Sequence, residues 1–556
     1  MGTTVLLCVS AVAASSAAAG EAEGPLAIES FSMQTTEAKP GNVNEPYAFT
    51  RAGGHPEGLT TTLRFASEAV GQGGLRTPTR DPKDMVFDLP PGLLANPLAV
   101  SRCAAPQALS GETCPVDSQV GVFVLYYGGK ALLGPIVDIT PPVGQAAELA
   151  LQTPFHATFP LTGSVVNGPQ GYALALAGKA LPMLGVEGVE TTLWGIPAAT
   201  VHDSQRGLYC AGSGAGQPWS CEGGGLASGQ APAPFLTMPS DCSAGPLTAG
   251  VWVDSWEQPE QYVRARSTLP AMTGCELSPF DPEIEVQPDT SLADEPVGVG
   301  LSIGSRESEG SGAVSTPPLR EATVILPQGM SISPSVADGA RACQPNGPEG
   351  IDMPTGVNAQ GEALQPDEAG EGEEPAPSGE GRLAPGHCPA ASSIGSAEAQ
   401  TPLLGTPIKG RVYLAAPGCG GAGQSPCSDS DAVDGNLYRL YVELGGRAEH
   451  DDGGVVIKVE GRVQANPATG QLTVRLANTP QLPLSQLRID LNGGPRALLD
   501  NPAGCGPATT TSDMEPWSAP GVSPAPESLF VPGTADVAPF SYYEVKGCSP
   551  VPALHP

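Results

Sequence analysis

The sequence predicts an all-β protein of tandem β-sandwich-like modules with long Gly/Pro-rich loops and local disulfides. Glycine and proline, at 72 and 61 of the 556 residues, are too frequent for long helices. Short apolar runs recur between these turn-forming residues, as in sandwiches built from many short strands. The length exceeds what one hydrophobic core supports, so we expect about two to four domains.

The charge balance excludes some classes of partner. Acidic residues (58) outnumber basic residues (26), which gives a formal net charge of −32. A polyanion or an anionic lipid surface would be repelled, because both are bound through basic patches. We therefore expect no nucleic-acid partner. We also expect no cofactor, and a surface or extracellular ligand whose identity the sequence does not give.

The first 19 residues are predicted to be a signal peptide. Residues 4–19 are apolar or small, and Ala17-Ala18-Ala19 supplies an A-x-A cleavage site. A membrane span is the alternative, but the run is short for one. A lipoprotein anchored at Cys8 is a second alternative, disfavoured because Leu7 stands where a small residue is required. We expect no membrane span in the mature chain, and a flexible N-terminal segment at residues 20–44.

The other twelve cysteines agree with export. Sequence alone does not prove connectivity, and sequential pairing is the simplest hypothesis. The expected couples are Cys103 with Cys114, Cys210 with Cys221, Cys242 with Cys275, Cys343 with Cys388, Cys419 with Cys427, and Cys505 with Cys548. A zinc site is the rival interpretation, but there is no C-x-x-C and the histidines lack ligand spacing. Disulfides indicate an oxidising, extracellular or cell-surface location.

The chain is predicted to contain two copies of one unit, residues 45–282 and 283–556. Residues 114–121 and 388–395 both read C-P-x-x-S-x-[VI]-G. An L-P-x-G turn precedes each of these segments, and a cysteine followed by a tryptophan recurs near the end of each copy. The chain ends where a third copy would begin, as expected for part of a longer array.

Strands are predicted throughout both copies. In the first copy they are residues 59–65, 85–89, 119–127, 136–140, 155–159, 172–176, 189–194 and 251–253. In the second they are residues 297–303, 322–326, 411–414, 437–444, 455–463, 472–476 and 487–491. Residues 95–105 could form one helical turn at most, because Pro97 interrupts them. The acidic stretch at residues 344–387 is predicted to be a disordered insertion, a solvated spacer at a loop tip.

A family resemblance rests on the repeated motifs together with residues 193–197 (LWGIP), His202-Asp203 and residues 234–242 (PFLTMPSDC). These segments resemble large secreted β-rich repeat proteins of high-GC actinobacteria. The resemblance implies export and an all-β array, and it supplies no catalytic residues. The second copy departs from it, because no W-G-x-P occurs there.

Two segments resemble chemical motifs. Residues 300–304 match G-x-S-x-G around Ser302, but no helix is predicted after them, as a nucleophile elbow requires. Residues 429–436 resemble a calcium loop, but an extra residue precedes Asp434 and the twelfth position is Leu440 rather than glutamate. An acidic turn is the favoured interpretation of this second segment.

Other candidate residues are also interpreted structurally. His202-Asp203 is an adjacent acid–base couple without an evident nucleophile. Trp252, Trp256 and Trp517 could line a carbohydrate platform, but their positions near Cys242 and Cys505 favour core packing. We predict an exported, non-enzymatic tandem-repeat protein with a structural or adhesive role. The alternatives are a carbohydrate- or calcium-dependent binding module and a secreted hydrolase.

Overall fold

The computed structural model describes residues 26–39, 42–70, 75–168, 171–212, 219–306, 314–333, 340–354, 383–420, 425–446, 454–519 and 538–548. Antiparallel strands dominate these residues, so the all-β prediction is confirmed. In the described parts, no helix is both long enough and apolar enough to cross a membrane. The predicted signal peptide at residues 1–19 lies outside the described residues.

The first module spans residues 26–281. Its strands are β1 (Ile28–Lys39), β2 (Asn42–Ala48), β3 (Gly58–Phe65), β4 (Ser67–Val70), β5 (Leu75–Pro78), β6 (Pro82–Asp88), β7 (Leu94–Ala95), β8 (Gln119–Tyr127), β9 (Lys130–Ile139), β10 (Ala147–Gln152), β11 (Thr158–Gly168), β12 (Gly171–Gly178), β13 (Val186–Trp194), β14 (Leu208–Gly212), β15 (Ser220–Gly223), β16 (Leu236–Thr237), β17 (Leu247–Ser255) and β18 (Val263–Leu269). A short helix, α1 (Ala105–Leu109), lies between β7 and β8.

The second module spans residues 282–548. Its strands are β19 (Pro282–Pro288), β20 (Pro296–Val297), β21 (Val299–Ser305), β22 (Leu319–Ile325), β23 (Ser331–Ile332), β24 (Ser393–Gln400), β25 (Ile408–Leu414), β26 (Tyr438–Gly445), β27 (Val456–Ala465), β28 (Leu472–Leu476), β29 (Gln486–Leu491), β30 (Leu499–Asp500), β31 (Gly506–Pro516) and β32 (Phe540–Val545). Helix α2 (Asp429–Val433) precedes β26.

The two large sheets follow the same path. The first runs β18, β17, β6, β12, β11, β10, β9, β8, β13, β3, β1 and then β2, with β14 and β15 attached to β9. The second runs β32, β31, β22, β28, β27, β26, β25, β24, β29, β21 and β19. Apart from β2, β14 and β15, each strand of the first sheet has a counterpart at the same place in the second. Residues at matching ladder positions are called counterparts below.

The first sheet curls so that β18 approaches β1, and the second curls so that β32 approaches β19; in each case a serine hydroxyl spans the seam. The Ser267 hydroxyl in β18 accepts a hydrogen bond from the Met33 backbone N–H in β1 at 2.9 Å. The Ser541 hydroxyl in β32 accepts one from the Val286 N–H in β19 at 3.0 Å. The apolar core lies inside each curled sheet.

The repeated C-P-x-x-S-x-[VI]-G segment builds the same turn and bulge in both modules. The buried hydroxyls of Ser118 and Ser392 donate to the carbonyl oxygens of Pro115 and Pro389, at 2.6 and 2.7 Å. The ladder register shifts immediately afterwards, at the motif glycine. The motif is therefore a strand-starting device.

The motif glycines admit no side chain. A Cβ on Gly121 would lie 2.2 Å from the Thr192 carbonyl oxygen of the neighbouring strand, and one on Gly395 would lie 2.4 Å from that of Asp490. Both distances are far below van der Waals contact, so glycine is required at these two positions.

The six disulfides are the sequential couples that were predicted. The first and last couples of each module occupy matching loops. The middle couples do not, because Cys210–Cys221 joins β14 to β15 whereas Cys419–Cys427 ties the loop between β25 and β26.

The prediction of a flexible segment at residues 20–44 is wrong for its described part. Strand β1 pairs with β3 along nearly its whole length, and Met33 is buried in the core. The first module therefore begins before residue 45. Apolar side chains at Phe31 and Met33 alternate with polar ones, a strand signal that the preceding signal-like run obscured.

The prediction of disorder at residues 344–387 is wrong at the edges of that stretch. Ile351 is fully buried beside the Cys343–Cys388 bridge. The Lys458 ammonium donates to the carbonyl oxygen of Ile351 at 2.5 Å, and the Glu443 carboxylate accepts from the Gly386 N–H at 2.5 Å. Residues 355–382 lie outside the described part. The composition of this polar stretch did not reveal that Ile351 packs beside the bridge.

The helical turn considered at residues 95–105 is displaced. Residues 94–95 form the short strand β7, and the helix begins at Ala105 with Pro106 in its first turn, where proline is tolerated.

Candidate functional site

Ser302, in the G-x-S-x-G match, lies in the middle of strand β21. Its hydroxyl accepts a hydrogen bond from the Gln486 side-chain amide in the adjacent strand at 2.9 Å. The strand continues to Ser305, so the sharp strand–turn–helix of a nucleophile elbow does not form here.

The calcium-like segment begins with helix α2. The Asp431 carboxylate accepts hydrogen bonds from the Ser428 hydroxyl and backbone N–H, both at 2.8 Å, and these bonds hold its pKa below the usual value. Asp431 thus completes a capping box. Among the described residues, no group of three or more histidine, cysteine, aspartate or glutamate side chains could hold a metal ion.

The His202 ring stacks on Trp194, with ring centroids 4.5 Å apart. Burial and, to a smaller extent, the nearby positive charge of Arg206 lower the pKa of His202 to about 4. Arg206 is itself buried and donates to the carbonyl oxygens of Leu226 and Pro197 at 2.9 and 3.0 Å. The W-G-x-P and His-Asp motifs therefore form a packed support for the loop after β13.

The second module has a counterpart for most of W-G-x-P after all. Leu193 and Leu491 both lie opposite the motif glycine of the neighbouring strand. The residues that follow Leu491 are Asn492-Gly493-Gly494-Pro495, so asparagine stands in place of Trp194. This match was not evident from the sequence, because tryptophan is the most distinctive residue of W-G-x-P and asparagine replaces it in the second module.

The candidate platform tryptophans are bonded into the framework. The Trp252 indole donates to the Asp88 carboxylate at 2.8 Å. The Trp256 indole donates to the Leu181 carbonyl oxygen at 2.7 Å, and that of Trp517 donates to Thr479 at 3.1 Å. The last two bonds match, since each tryptophan holds the loop between the counterpart strands β12 and β13 or β28 and β29.

We call these two loops the first plug loop (residues 180–184) and the second plug loop (residues 478–482). Ala180 and Asn478 both have positive φ, 50° and 52°. The Leu184 N–H donates to the carbonyl oxygen of Pro182 at 2.8 Å. In the second plug loop, the Leu482 N–H donates to the carbonyl oxygen of Pro480 at 2.7 Å. The two loops therefore share a backbone conformation.

The second plug loop closes an apolar hollow at the end of the first module. We call this hollow the first socket; it is lined by Leu89, Ala95, Leu174, Leu176, Leu193, Phe235 and Leu236. Pro480 and Leu482 of the second plug loop line the same cavity, whose volume is about 170 Å³. Gln481 accepts a hydrogen bond from the Ser240 N–H at 3.2 Å and lies against Gly92. A Cβ at Gly92 would overlap the Gln481 side chain.

Further contacts join the modules. The Ser315 N–H donates to the Gly53 carbonyl oxygen at 2.8 Å. The Tyr172 hydroxyl accepts from the backbone N–H of Lys458 at 2.8 Å and donates to its carbonyl oxygen at 3.2 Å. Burial strongly raises the pKa of Tyr172, so its hydroxyl stays protonated. The junction thus combines apolar packing with backbone hydrogen bonds.

The second module carries the matching hollow. We call it the second socket; it is lined by Leu326, Ile332, Leu472, Val474, Leu491, Leu498 and Leu499, the counterparts in order of the first-socket residues. Its cavity measures about 470 Å³ and extends inward past Val286 and Val324. The first module fills the matching inner positions with Met33 and Phe87, which are larger.

The second cavity is suited to binding rather than to acid–base chemistry. Its ionisable lining residues are Arg341, Tyr438 and Arg439. Arg439 pairs through two hydrogen bonds with the Glu460 carboxylate, at 2.9 and 2.7 Å, and Arg341 pairs with Glu349 at 2.5 Å. The remaining lining is aliphatic. A packed protein interior holds few voids larger than a water molecule, so a cavity of this size is a candidate site.

No protein-family model, curated protein or solved structure matches the chain.

Proposed function

We propose that the chain is an exported, non-enzymatic structural protein of the cell surface, built from two copies of one β unit. The observation that carries the proposal is the docking of one module on the other, with the second plug loop seated in the first socket. A junction that combines apolar packing with backbone hydrogen bonds holds the two modules in a fixed arrangement. A structural protein requires such an arrangement, whereas substrate turnover does not.

The motifs shared by the two copies support this role. Ser118 and Ser392 fix matching turns, Gly121 and Gly395 fix matching bulges, and the tryptophans fix matching plug loops. Each shared motif thus has a structural task. Functional residues would also be shared if both copies bore an active site.

The cysteines support export. Six bridges within sequence-local loops are typical of proteins that fold in an oxidising compartment. The acidic surface, at a formal charge of −32, agrees with a partner that is neither nucleic acid nor anionic lipid.

The test combines location with thiol state. Intact producing cells are labelled with a membrane-impermeant amine reagent, and the protein is then mapped by non-reducing proteolysis. We expect surface labelling, six bridges and no free thiol. Recovery from the cytosol with reduced cysteines would overturn the proposal.

A second experiment tests the proposal that the protein is non-enzymatic. Deletion of the protein should change a surface property, such as detergent sensitivity, and S302A should restore that property as fully as the unaltered chain. Gly405→Ala is the matched control, because a Cβ there meets open space. Failure of S302A alone would point to hydrolase chemistry.

A further inference from the structure

The second socket is the uncovered counterpart of an occupied surface. Gly92 and Ser240 at the rim of the first socket are buried by the second plug loop. Their counterparts at the second socket, Gly329 and Ala503, are exposed. The same apolar hollow is therefore covered in one module and open in the other.

The first plug loop is likewise the unoccupied counterpart of a seated one. Gln481 of the second plug loop is only 6% exposed, because it is seated against the first socket. Its counterpart Met183 is 61% exposed, and the neighbouring Leu184 is 45% exposed. Two large apolar side chains at the tip of one ordered loop are a feature of binding surfaces.

We propose that copies of this chain associate head to tail, with the first plug loop of one copy inserted into the second socket of the next. The contact would repeat between chains the docking that joins the modules within one chain. The two surfaces of such a contact differ, so the association is heterologous and leaves a free plug and a free socket at the ends of every assembly.

The residue differences between the two plugs and between the two sockets make the proposed contact more apolar. Methionine replaces Gln481 at the plug tip, and its flexible apolar side chain fills irregular gaps. The second socket is deeper because Val286 and Val324 stand where the first module has Met33 and Phe87. In the proposed contact, Leu184, the counterpart of the cavity-lining Leu482, would face this deeper apolar hollow, and Met183 would lie at its rim.

Other differences weaken the contact between chains. In the proposed contact, Asp294 takes the place of Gly53, and Pro78 takes the place of Ser315. Because proline has no backbone N–H, the hydrogen bond that Ser315 donates to Gly53 within the chain has no equivalent between chains. Two chains of charge −32 also repel each other at low ionic strength. We therefore expect an association that is weaker than the intrachain docking and is strengthened by salt.

The test is sedimentation velocity on the full chain from about 1 to about 100 μM, in about 0.05 and about 0.5 M NaCl. The unaltered protein should form species larger than a monomer as concentration and salt rise. A double variant of the plug, Met183→Ser with Leu184→Ser, and a socket-rim variant, Ala503→Arg, should each weaken association by about tenfold or more. Both altered sites are exposed, and circular dichroism with thermal melting checks their folding.

A mixing experiment gives the sharpest outcome. The plug variant keeps a free socket and the socket variant keeps a free plug, so an equimolar mixture should form dimers and nothing larger. Val433→Ser is the matched control, since this exposed valine lies in helix α2 and belongs neither to the plug loop nor to the residues that line the second socket. The control should associate like the unaltered chain.

Three outcomes would overturn the inference. They are a monomer under all conditions, association that survives both variants, and an apolar small molecule found by native mass spectrometry in a socket that binds no second chain. The inference rests on the module correspondence within the proposed function. Its failure would leave surface location and thiol state unaffected, so the two proposals fail separately.

Discussion

The indole nitrogen of Trp517 donates a hydrogen bond to the carbonyl oxygen of Thr479 at 3.1 Å, and this bond fixes the loop that joins the two modules. The Arg320 guanidinium lies over the same ring, 5.5 Å from its centroid. In the first module the Trp256 indole makes the matching bond, with Lys83 at 5.9 Å from its ring. One arrangement thus holds a seated loop in one module and an exposed loop in the other.

Substitution of Trp517 by phenylalanine should loosen the module junction. The change leaves the Thr479 carbonyl oxygen without its donor and should lower the free energy of unfolding by about 1–3 kcal/mol. Calorimetry should show this loss of stability in the thermal transition in which the two modules separate. Trp256→Phe is the control, because its loop touches no second module within the chain. Equal effects of the two variants on that transition would contradict the assignment.

Alanine at Gly121 or Gly395 should prevent normal folding of the affected module. The added Cβ would overlap a backbone carbonyl oxygen in the neighbouring strand, so the strand pair must separate. We expect the free energy of unfolding to fall by about 3 kcal/mol or more, which is measured as loss of secreted folded protein. Gly405→Ala, with open space around its Cβ, should secrete normally. Normal secretion of G121A would show that the bulge is not needed.

The buried carboxyl group of Asp138 should make stability fall as pH rises. Burial raises its pKa from 3.8 to about 7, although Arg102, 3.4 Å away, opposes the rise. Between about pH 4 and pH 7 the folded state holds a proton that the unfolded state has released, so stability is lost across this window as pH increases.

Asp138→Asn removes this titration and should flatten the corresponding part of the stability–pH curve. A pKa shift of this size corresponds to a loss of at most about 4 kcal/mol in the free energy of unfolding across this pH window. Denaturation midpoints at pH 4, 5.5 and 7.5 measure the slope for both proteins. An unchanged slope in the variant would show that Asp138 is ionised throughout.

His202 should act in the opposite direction. Its pKa falls from 6.5 to about 4 because the ring is buried, so the unfolded state binds a proton more readily than the folded state. Stability should therefore increase as pH rises from about 4 to about 6.5. His202→Phe keeps an aromatic ring against Trp194 and abolishes the titration. In the same series of denaturation midpoints, His202→Phe should show a smaller increase in stability between about pH 4 and pH 6.5. An increase as large as that of the unaltered protein would contradict the assignment of this titration to His202.

Many strands and all six disulfides were predictable from sequence because their signals are local. The strand predicted at residues 155–159 is wrong, because residues 154–156 form a turn and β11 begins at Thr158. Strands β1, β18, β19, β31 and β32 were not predicted. Residues 472–476 alternate polar and apolar side chains and form β28 with the expected boundaries. Cysteine couples within short loops leave little conformational choice, and all six formed as expected.

The sockets could not be predicted, because they depend on which residues face each other across a curled sheet. Leu89 and Leu236 are far apart in sequence, and nothing local shows that both line one hollow. The plug loops carried a usable signal, an L-P or T-P dipeptide followed two residues later by leucine, between two strands. The tryptophans were expected to pack in the core, but Trp256 is 38% exposed and Trp252 and Trp517 are only half-buried. The task of Trp256 and Trp517 in holding the plug loops depends on the three-dimensional pairing.

The disulfide pattern has an evolutionary consequence. All three bridges of the first module close before residue 282, and all three of the second close after it. A recombination event in the gene at this boundary would transfer whole bridges and leave no orphaned thiol on either product. Lineages could therefore lengthen, shorten or exchange such units without passing through a misoxidised intermediate.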